Sequence, residues 1–238
     1  VKSADISVDL VHHVGDDLDV VDAARVSFNK QSDWEEVAYD EIVAGEYRVF
    51  SEYRLKDKDK KLVNYLAKNK HHSPFNHSFL SFRVKAPIFV ARQLVKHKFM
   101  PWNEVSRRYV DDEPEFFFPR GWRAKAENVK QGSADVYIDP SQPDYELNIF
   151  TKATTGRALE NYQALLDAGV CAEQARLILP QNMMTEWRWS GTLGAFLDML
   201  VLRLDPHTQK ETRDVAEKIA VHVKQLFPVS YTAYLGDS

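Results

Sequence analysis

Apolar positions along the chain change their period several times, and each change marks an element. Residues 8–14 alternate apolar and polar, the two-residue period of a half-exposed strand. Residues 17–28 switch to helical spacing, with Leu18, Val21 and Ala24 on one face. Residues 29–56 are polar and show no period, which predicts a surface insertion. Residues 57–70 read as a charged amphipathic helix with Leu62, Tyr65 and Leu66 on its apolar side. The run HHSPFNH, 71–77, is a turn around Pro74, and 78–85 alternate again through Phe82 and Val84. Pro87 suits the first turn of a helix that the pattern extends over 88–99. An ordered loop over 100–109 follows, then a long irregular connection over 111–144, rich in Pro, Gly and charge.

The C-terminal half reads as mainly helical. A helix over 145–168 ends at Gly169, a suitable C-cap, and a second over 172–179 is stopped by Pro180. Residues 183–190 carry Trp187 and Trp189 in alternation and predict a strand; 192–204 and 207–227 predict two more helices. Strands and helices in this order indicate an α+β chain. We expect a single domain over 1–238, with surface insertions near 30–56 and 120–145.

Composition narrows the function classes. At 238 residues and 44% apolar, the chain is large enough to close a core. A net charge of −4 argues against general attraction to nucleic acid, so an anion site needs local clusters of Arg and Lys. Cys171 is the one cysteine, which rules out an internal disulfide and fits a reducing compartment. Neither a secretory signal nor an apolar run of membrane-spanning length is visible, and a cytoplasmic protein without membrane association is the expectation.

The densest chemistry lies in ARQLVKHKFMPWNEVSRRYV, residues 91–110. On the expected helix Gln93, Lys96 and His97 share a face. Asn103, Glu104, Ser106, Arg107 and Arg108 follow on the loop. Cations for a phosphate, a carboxylate, and amide and hydroxyl groups able to read a base edge are thus gathered in one stretch. Composition alone allows a plainer reading, a solvated basic helix end facing the helix dipole.

The order of motifs resembles the flavin-dependent thymidylate synthase family (ThyX). That family carries Arg-His-Arg, seven residues, then Ser, within a run ending N-E-x-S-x-R-Y; here Lys96, His97 and Lys98 precede Ser106, and NEVSRRY occupies 103–109. VKAPIFVARQ (84–93), AARVSF (23–28), HHSPFNH (71–77) and ARLILP (175–180) resemble further family blocks, in order.

The resemblance implies a ThyX-like fold with a central, mostly antiparallel sheet flanked by helices. It implies transfer of a one-carbon unit from methylenetetrahydrofolate to carbon 5 of dUMP, with reduced FAD as hydride donor and NADPH as the source of reducing power. A homotetramer with active sites at subunit junctions is implied too. Gln93, Glu104, Ser106, Arg107, Arg108, Arg176 and Arg203 fall at nucleotide-contacting positions, with Arg203 stabilising charge on the uracil ring. Ser27, Ser73, Lys96, His97, Lys98 and Glu104 fall at flavin-contacting positions, and His71 near the flavin ring. Arg203, Ser106, Glu104 and His71 are the implied catalytic group. Cys171 lacks an adjacent His, and core packing is its expected role.

Two departures stand out. Lys96 and Lys98 replace Arg and lose its planar fork. The family's Asn-x-Arg, with a polar residue four positions on, is here Thr192, Gly194 and Asp198, so one flavin cation is missing and Asp198 brings a negative charge to a cofactor position. These departures keep two alternatives open: a relative that modifies a pyrimidine nucleotide differently, for example by hydroxymethylating dUMP or dCMP, and a non-catalytic nucleotide-binding protein. A metal centre on His71, His72, His77 and His97 lacks a known ligand spacing, and we expect none. Single-stranded nucleic acid along Lys96, Lys98, Arg107 and Arg108, with Trp102 and Tyr109 stacking, is disfavoured by net charge.

Overall fold

The structure, a computed structural model, describes residues 1–44, 46–110, 112–126, 133–138 and 143–236. The strands are β1 (Lys2–Ser3), β2 (Ser7–Val14), β3 (Glu35–Val43), β4 (Glu46–Arg54), β5 (Phe79–Pro87), β6 (Trp102–Glu104), β7 (Glu115–Phe116), β8 (Arg123–Lys125), β9 (Ser133–Tyr137) and β10 (Met184–Thr192). The helices are α1 (Asp17–Arg25), α2 (Asp57–Lys68), α3 (Ile88–Leu94), α4 (Pro143–Asp167), α5 (Ala172–Ala175), α6 (Leu193–Arg203), α7 (Lys210–Leu226) and α8 (Pro228–Leu235). The α+β class holds. A four-stranded sheet runs β2-β5-β10-β6, and β1–β7, β3–β4 and β8–β9 form two-stranded sheets. The pairs β10–β6, β3–β4 and β8–β9 are antiparallel, while β1–β7 is parallel.

The chain forms two compact units. The first comprises Val1–Val11, Ser81–Ser190 and Leu202–Ile219. Its core gathers Phe82, Val84, Val90, Leu94, Phe116, Trp187, Trp189 and Ile219, all fully or almost fully buried. The alternation along β5 and β10 decides which side chains enter it.

The second unit comprises His12–Leu80, Gly191–Val201 and Ala220–Ser238. Here α2 packs on α8, and α1 packs on both, burying Val20, Val21, Val63, Leu66 and Phe75. A reciprocal capping box starts α1: Asp16 Oδ1 accepts from the Leu18 N–H at 2.8 Å, and Asp19 Oδ2 accepts from the Asp16 N–H at 2.9 Å. Gly15, before it, has φ +88, and a Cβ there would sit 2.5 Å from Ser78 Oγ, so glycine is required. Asp17 caps α8 from a distance in sequence, accepting from the Val229 and Ser230 N–H groups at 2.8 and 2.9 Å. Burial pushes the Asp17 carboxyl up from the usual carboxylate value, against the pull of its bonds to Ser230 and Val229.

Several expectations change. The segment 29–56, read as aperiodic, holds a hairpin in which nine residues of β3 pair with nine of β4, from Glu35↔Arg54 to Val43↔Glu46. Both of its faces are largely exposed, with Ile42 at 71% on one and Tyr39 at 43% on the other, so burial imposed no alternation for pattern reading to detect. The connection 111–144 contains β7, β8 and β9; its residues 111, 127–132 and 139–142 lie outside the described residues. The helix expected over 172–179 divides into α5 and a 3-10 turn at Arg176–Ile178. Cys171 is exposed at the N-cap of α5 rather than packed in the core.

The largest correction falls in the chemical stretch. The helix α3 ends at Leu94, five residues short of the expected 99, so Gln93, Lys96 and His97 do not share a helical face. Beyond its end, the His97 N–H bonds to the Leu94 carbonyl at 3.1 Å in a tighter turn, and the Gln93 carbonyl accepts from Arg203 Nη2 at 3.1 Å. The turn closes at Phe99 with φ +60, a left-handed conformation costly for an aromatic residue.

Candidate functional site

In the first unit, Glu104, Arg107 and Arg176 line one open cleft of about 580 Å³. Glu104 ends β6, Arg107 lies on the following turn, and Arg176 opens the 3-10 turn after α5. Ser106 and Arg108 share the Arg107 turn: Arg108 Nε lies 3.4 Å from Ser106 Oγ, and its Nη1 pairs with Glu173 at 3.5 Å. Arg107 donates to the Asp112 carbonyl, and Arg176 Nε donates to the Glu173 carbonyl at 3.3 Å. Neither Arg107 nor Arg176 is tied to a carboxylate among the described residues, which leaves both guanidinium charges for an anionic ligand.

Glu104 is held at both oxygens. Thr185 Oγ1 donates to Oε1 at 2.7 Å, and Trp102 Nε1 donates to Oε2 at 3.0 Å. The register explains this. In the β10–β6 ladder Trp187 faces Glu104 and Trp189 faces Trp102, so Trp102, Glu104, Thr185, Trp187 and Trp189 share one face. Trp102 stacks on Trp187 with centroids 4.3 Å apart. The expected ordered loop over 100–109 is therefore a sheet edge, with its carboxylate fixed by the strand beside it.

A second group forms around Arg203, at the end of α6. Its Nε donates to His97 Nε2 at 3.0 Å. An arginine only donates, so Nε2 is the acceptor and the neutral ring carries its proton on Nδ1. Burial, and secondarily the Arg203 charge, lower the His97 pKa to about 4. Burial also pulls the Arg203 guanidinium below its ordinary value. Gln93 completes the group: its side chain meets Gln209, and its Oε1 accepts from Thr212 Oγ1 at 3.1 Å. Arg203 does not line the cleft. The two groups are joined by rings, since His97 lies 6.1 Å from Trp189, and Trp189 lies 5.7 Å from Trp102. Lys96 and Lys98, beside His97, are exposed and have no partner among the described residues.

Four expected residues lie in the second unit. Ser27 is in the 3-10 turn Val26–Phe28, and Ser73 opens another, Ser73–Asn76. The His71 ring meets Tyr65 edge-on at 5.8 Å. Asp198 is exposed on α6; burial, and then the Asp198 charge, push the Tyr234 phenol up to about 12.

The family model described as thymidylate synthase complementing protein, Thy1, matches residues 9–229. The chain belongs to this family. Its curated relatives include proteins named flavin-dependent thymidylate synthase. The one from Kosmotoga olearia is 35% identical, covering 95% of this chain and 89% of the relative. The one from Thermus thermophilus is also 35% identical, covering 95% and 74%. Among solved structures, the UMP/dUMP methylase PolB from Streptomyces cacaoi bound with 5-Br dUMP matches with a TM-score of 0.78 at 31% identity. That match covers 98% of this chain and 96% of PolB.

Membership in the Thy1 family makes flavin the cofactor to test against these residues. The unpartnered ammonium groups of Lys96 and Lys98 suit a diphosphate. The start of α6, in the second unit, carries no cation. A Cβ at Gly194 would sit 2.6 Å from Asn76 Oδ1 and 3.4 Å from Phe75 Cβ, so Asn76 occupies the space a longer side chain would need. Asn76 Oδ1 accepts from Thr192 Oγ1 at 2.7 Å, and Thr192 Oγ1 in turn caps the Ala195 N–H at 3.2 Å. Within the first unit the two lysines fit the phosphates of a flavin; within the second, Asn76 and Thr192 offer neutral polar groups.

Residue-by-residue reading missed Thr185, Gln209, Glu211 and Thr212. Thr185 shares parity with Trp187 and Trp189, a visible signal, but only the pairing with β6 shows what it faces. Among the described residues no group of three or more His, Cys, Asp or Glu is placed to hold a metal ion. No described helix is long and apolar enough to cross a membrane.

Proposed function

We infer that this chain is a flavin-dependent thymidylate synthase, which moves a one-carbon unit from methylenetetrahydrofolate to C5 of dUMP and yields dTMP. The observation that carries the reading is the cleft in which Glu104, Arg107 and Arg176 meet, with Ser106 and Arg108 on the same turn. Such a set suits a nucleotide monophosphate, the arginines taking the phosphate. Arg203, charged and partly desolvated, suits the negative charge that develops on the uracil ring as C5 attacks. Neutral His97 holds Arg203 in place without competing charge. Reduced FAD supplies the hydride that completes the methyl group, and NADPH restores it. Lys96 and Lys98 are the phosphate-side contacts for that cofactor, with Ser27, Ser73, His97 and Glu104 as its other partners and His71 near its ring. Arg203 lies outside the cleft, which favours a homotetramer whose sites draw residues from more than one copy.

A second reading rests on Gly194 and Asp198. With no cation at Gly194 and a carboxylate at a cofactor position, weaker flavin binding favours transfer without reduction. Water in place of hydride would then give a 5-hydroxymethyl product from dUMP or dCMP. The test is direct: incubate the protein with dUMP, methylenetetrahydrofolate, FAD and NADPH, and separate the products. dTMP that vanishes without FAD supports the first reading. A hydroxymethyl nucleotide formed with or without FAD supports the second, and neither product overturns both. A visible spectrum with FAD, before and after dUMP, reports in parallel whether both ligands share a site.

A further inference from the structure

The amide of Gln93 is oriented by a chain of hydrogen bonds that begins on an inserted hairpin. Gln93 Nε2 donates to Gln209 Oε1, and Gln93 Oε1 accepts from Thr212 Oγ1 at 3.1 Å. Gln209 Nε2 donates to Glu211 Oε2 at 3.0 Å. Glu211 is 6% exposed and paired at 2.8 Å with Arg123 of β8. Arg123 is braced in turn by Ser133 Oγ on β9, at 2.7 Å from its Nε. Every member lies in the first unit.

The polarity of this chain follows from chemistry. A carboxylate paired with a guanidinium only accepts hydrogen bonds. Gln209 must therefore turn its NH₂ toward Glu211 and its carbonyl toward Gln93. Gln93 must answer with its NH₂ and point its own carbonyl at Thr212. A threonine hydroxyl serves either end of an amide, so Thr212 accepts this arrangement but does not impose it. Glu211 alone fixes the direction. One Gln93 N–H remains, with its place set by the relay.

We propose that Glu211, held by Arg123 of the β8–β9 hairpin, is a positioning residue that fixes the Gln93 amide so that its remaining N–H faces the pyrimidine nucleotide. The inference rests on the nucleotide reading above, and it gives the insertion near 120–145 a role in the site. Glu211→Gln keeps size and shape but can present either end of an amide, so the relay loses its direction. Gln209→Met breaks the same relay without touching the buried ion pair.

The test is calorimetric titration of the full chain with dUMP. Glu211→Gln and Gln209→Met are each expected to weaken dUMP binding about tenfold. In a Gln93→Ala background both effects should disappear, whereas a merely structural loss would persist there. Arg123→Lys, which keeps a cation on Glu211 but loses the fork, should weaken dUMP binding less than Glu211→Gln does. Unchanged dUMP affinity in both relay variants, or equal losses with and without Gln93, overturns the proposal. A wild-type chain that fails to bind dUMP overturns the nucleotide reading, a result seen before any variant is made.

Discussion

At the scale of single residues, the contact that organises the chemical stretch is Arg203 with His97 and the Gln93 carbonyl. His97 acts as an acceptor only while neutral. Its folded pKa is lowered to about 4, below the ordinary 6.5, so the unfolded chain binds more protons between those values. Its contribution to stability is therefore complete above about pH 6.5 and is lost as pH falls toward about 4. With screening at a half-exposed ring, the loss is about 1 kcal/mol. Urea melts of the apo protein at pH 7 and pH 5 should show it, and His97→Gln, which keeps an acceptor but does not titrate, should flatten it. An unchanged pH slope in that variant would assign the effect to another group. The motif around His97 was legible in the sequence because its residue types and spacing are local. That its ring accepts from Arg203 was not, since 106 residues separate the two.

At the scale of elements, two outcomes show when pattern reading works. Strands β5 and β10 and helices α6 and α7 emerged near their expected places, because each buries a face and the core selects residues at the element's period. The β3–β4 hairpin escaped, since neither of its faces is uniformly buried. Its two strands pack chiefly on each other, bridged by pairs such as Tyr39 and Phe50, whose rings are 5.8 Å apart. Replacing residues 36–52 with a short Gly-Ser turn should therefore lower Tm by no more than about 2 °C, the shift left when about 0.5 kcal/mol is lost. A scanning-calorimetry drop several times larger would mean the hairpin braces the body of the protein. Helix α3 shows the opposite failure: its sequence supports more helix than forms, and the chain turns more tightly after Leu94, where the His97 N–H bonds to the Leu94 carbonyl.

At the scale of the whole molecule, the cleft with Arg107 and Arg176 and the Arg203 group are separate places on one chain. If copies complete each other's sites, Arg176→Ala and Arg203→Ala should each abolish dTMP formation alone, and mixing the two after dissociation and reassembly should recover part of it. Mixtures as inactive as their parents would place each site within one copy.

The sequence by itself determined the family, the α+β class, most of the buried elements and the residue types of the site. These depend on short-range order: the period of apolar residues, and motifs whose spacing survives in one dimension. Tertiary structure decided what those residues do to one another. The pairing of β6 with β10 gave Glu104 its two donors, Arg203 joined His97 to the Gln93 carbonyl, Asn76 filled the space over Gly194, and Glu211 gave Gln93 its direction. Each joins positions far apart in the chain. A hydrogen bond needs its partners about 3 Å apart and aligned, a condition only the folded chain can set.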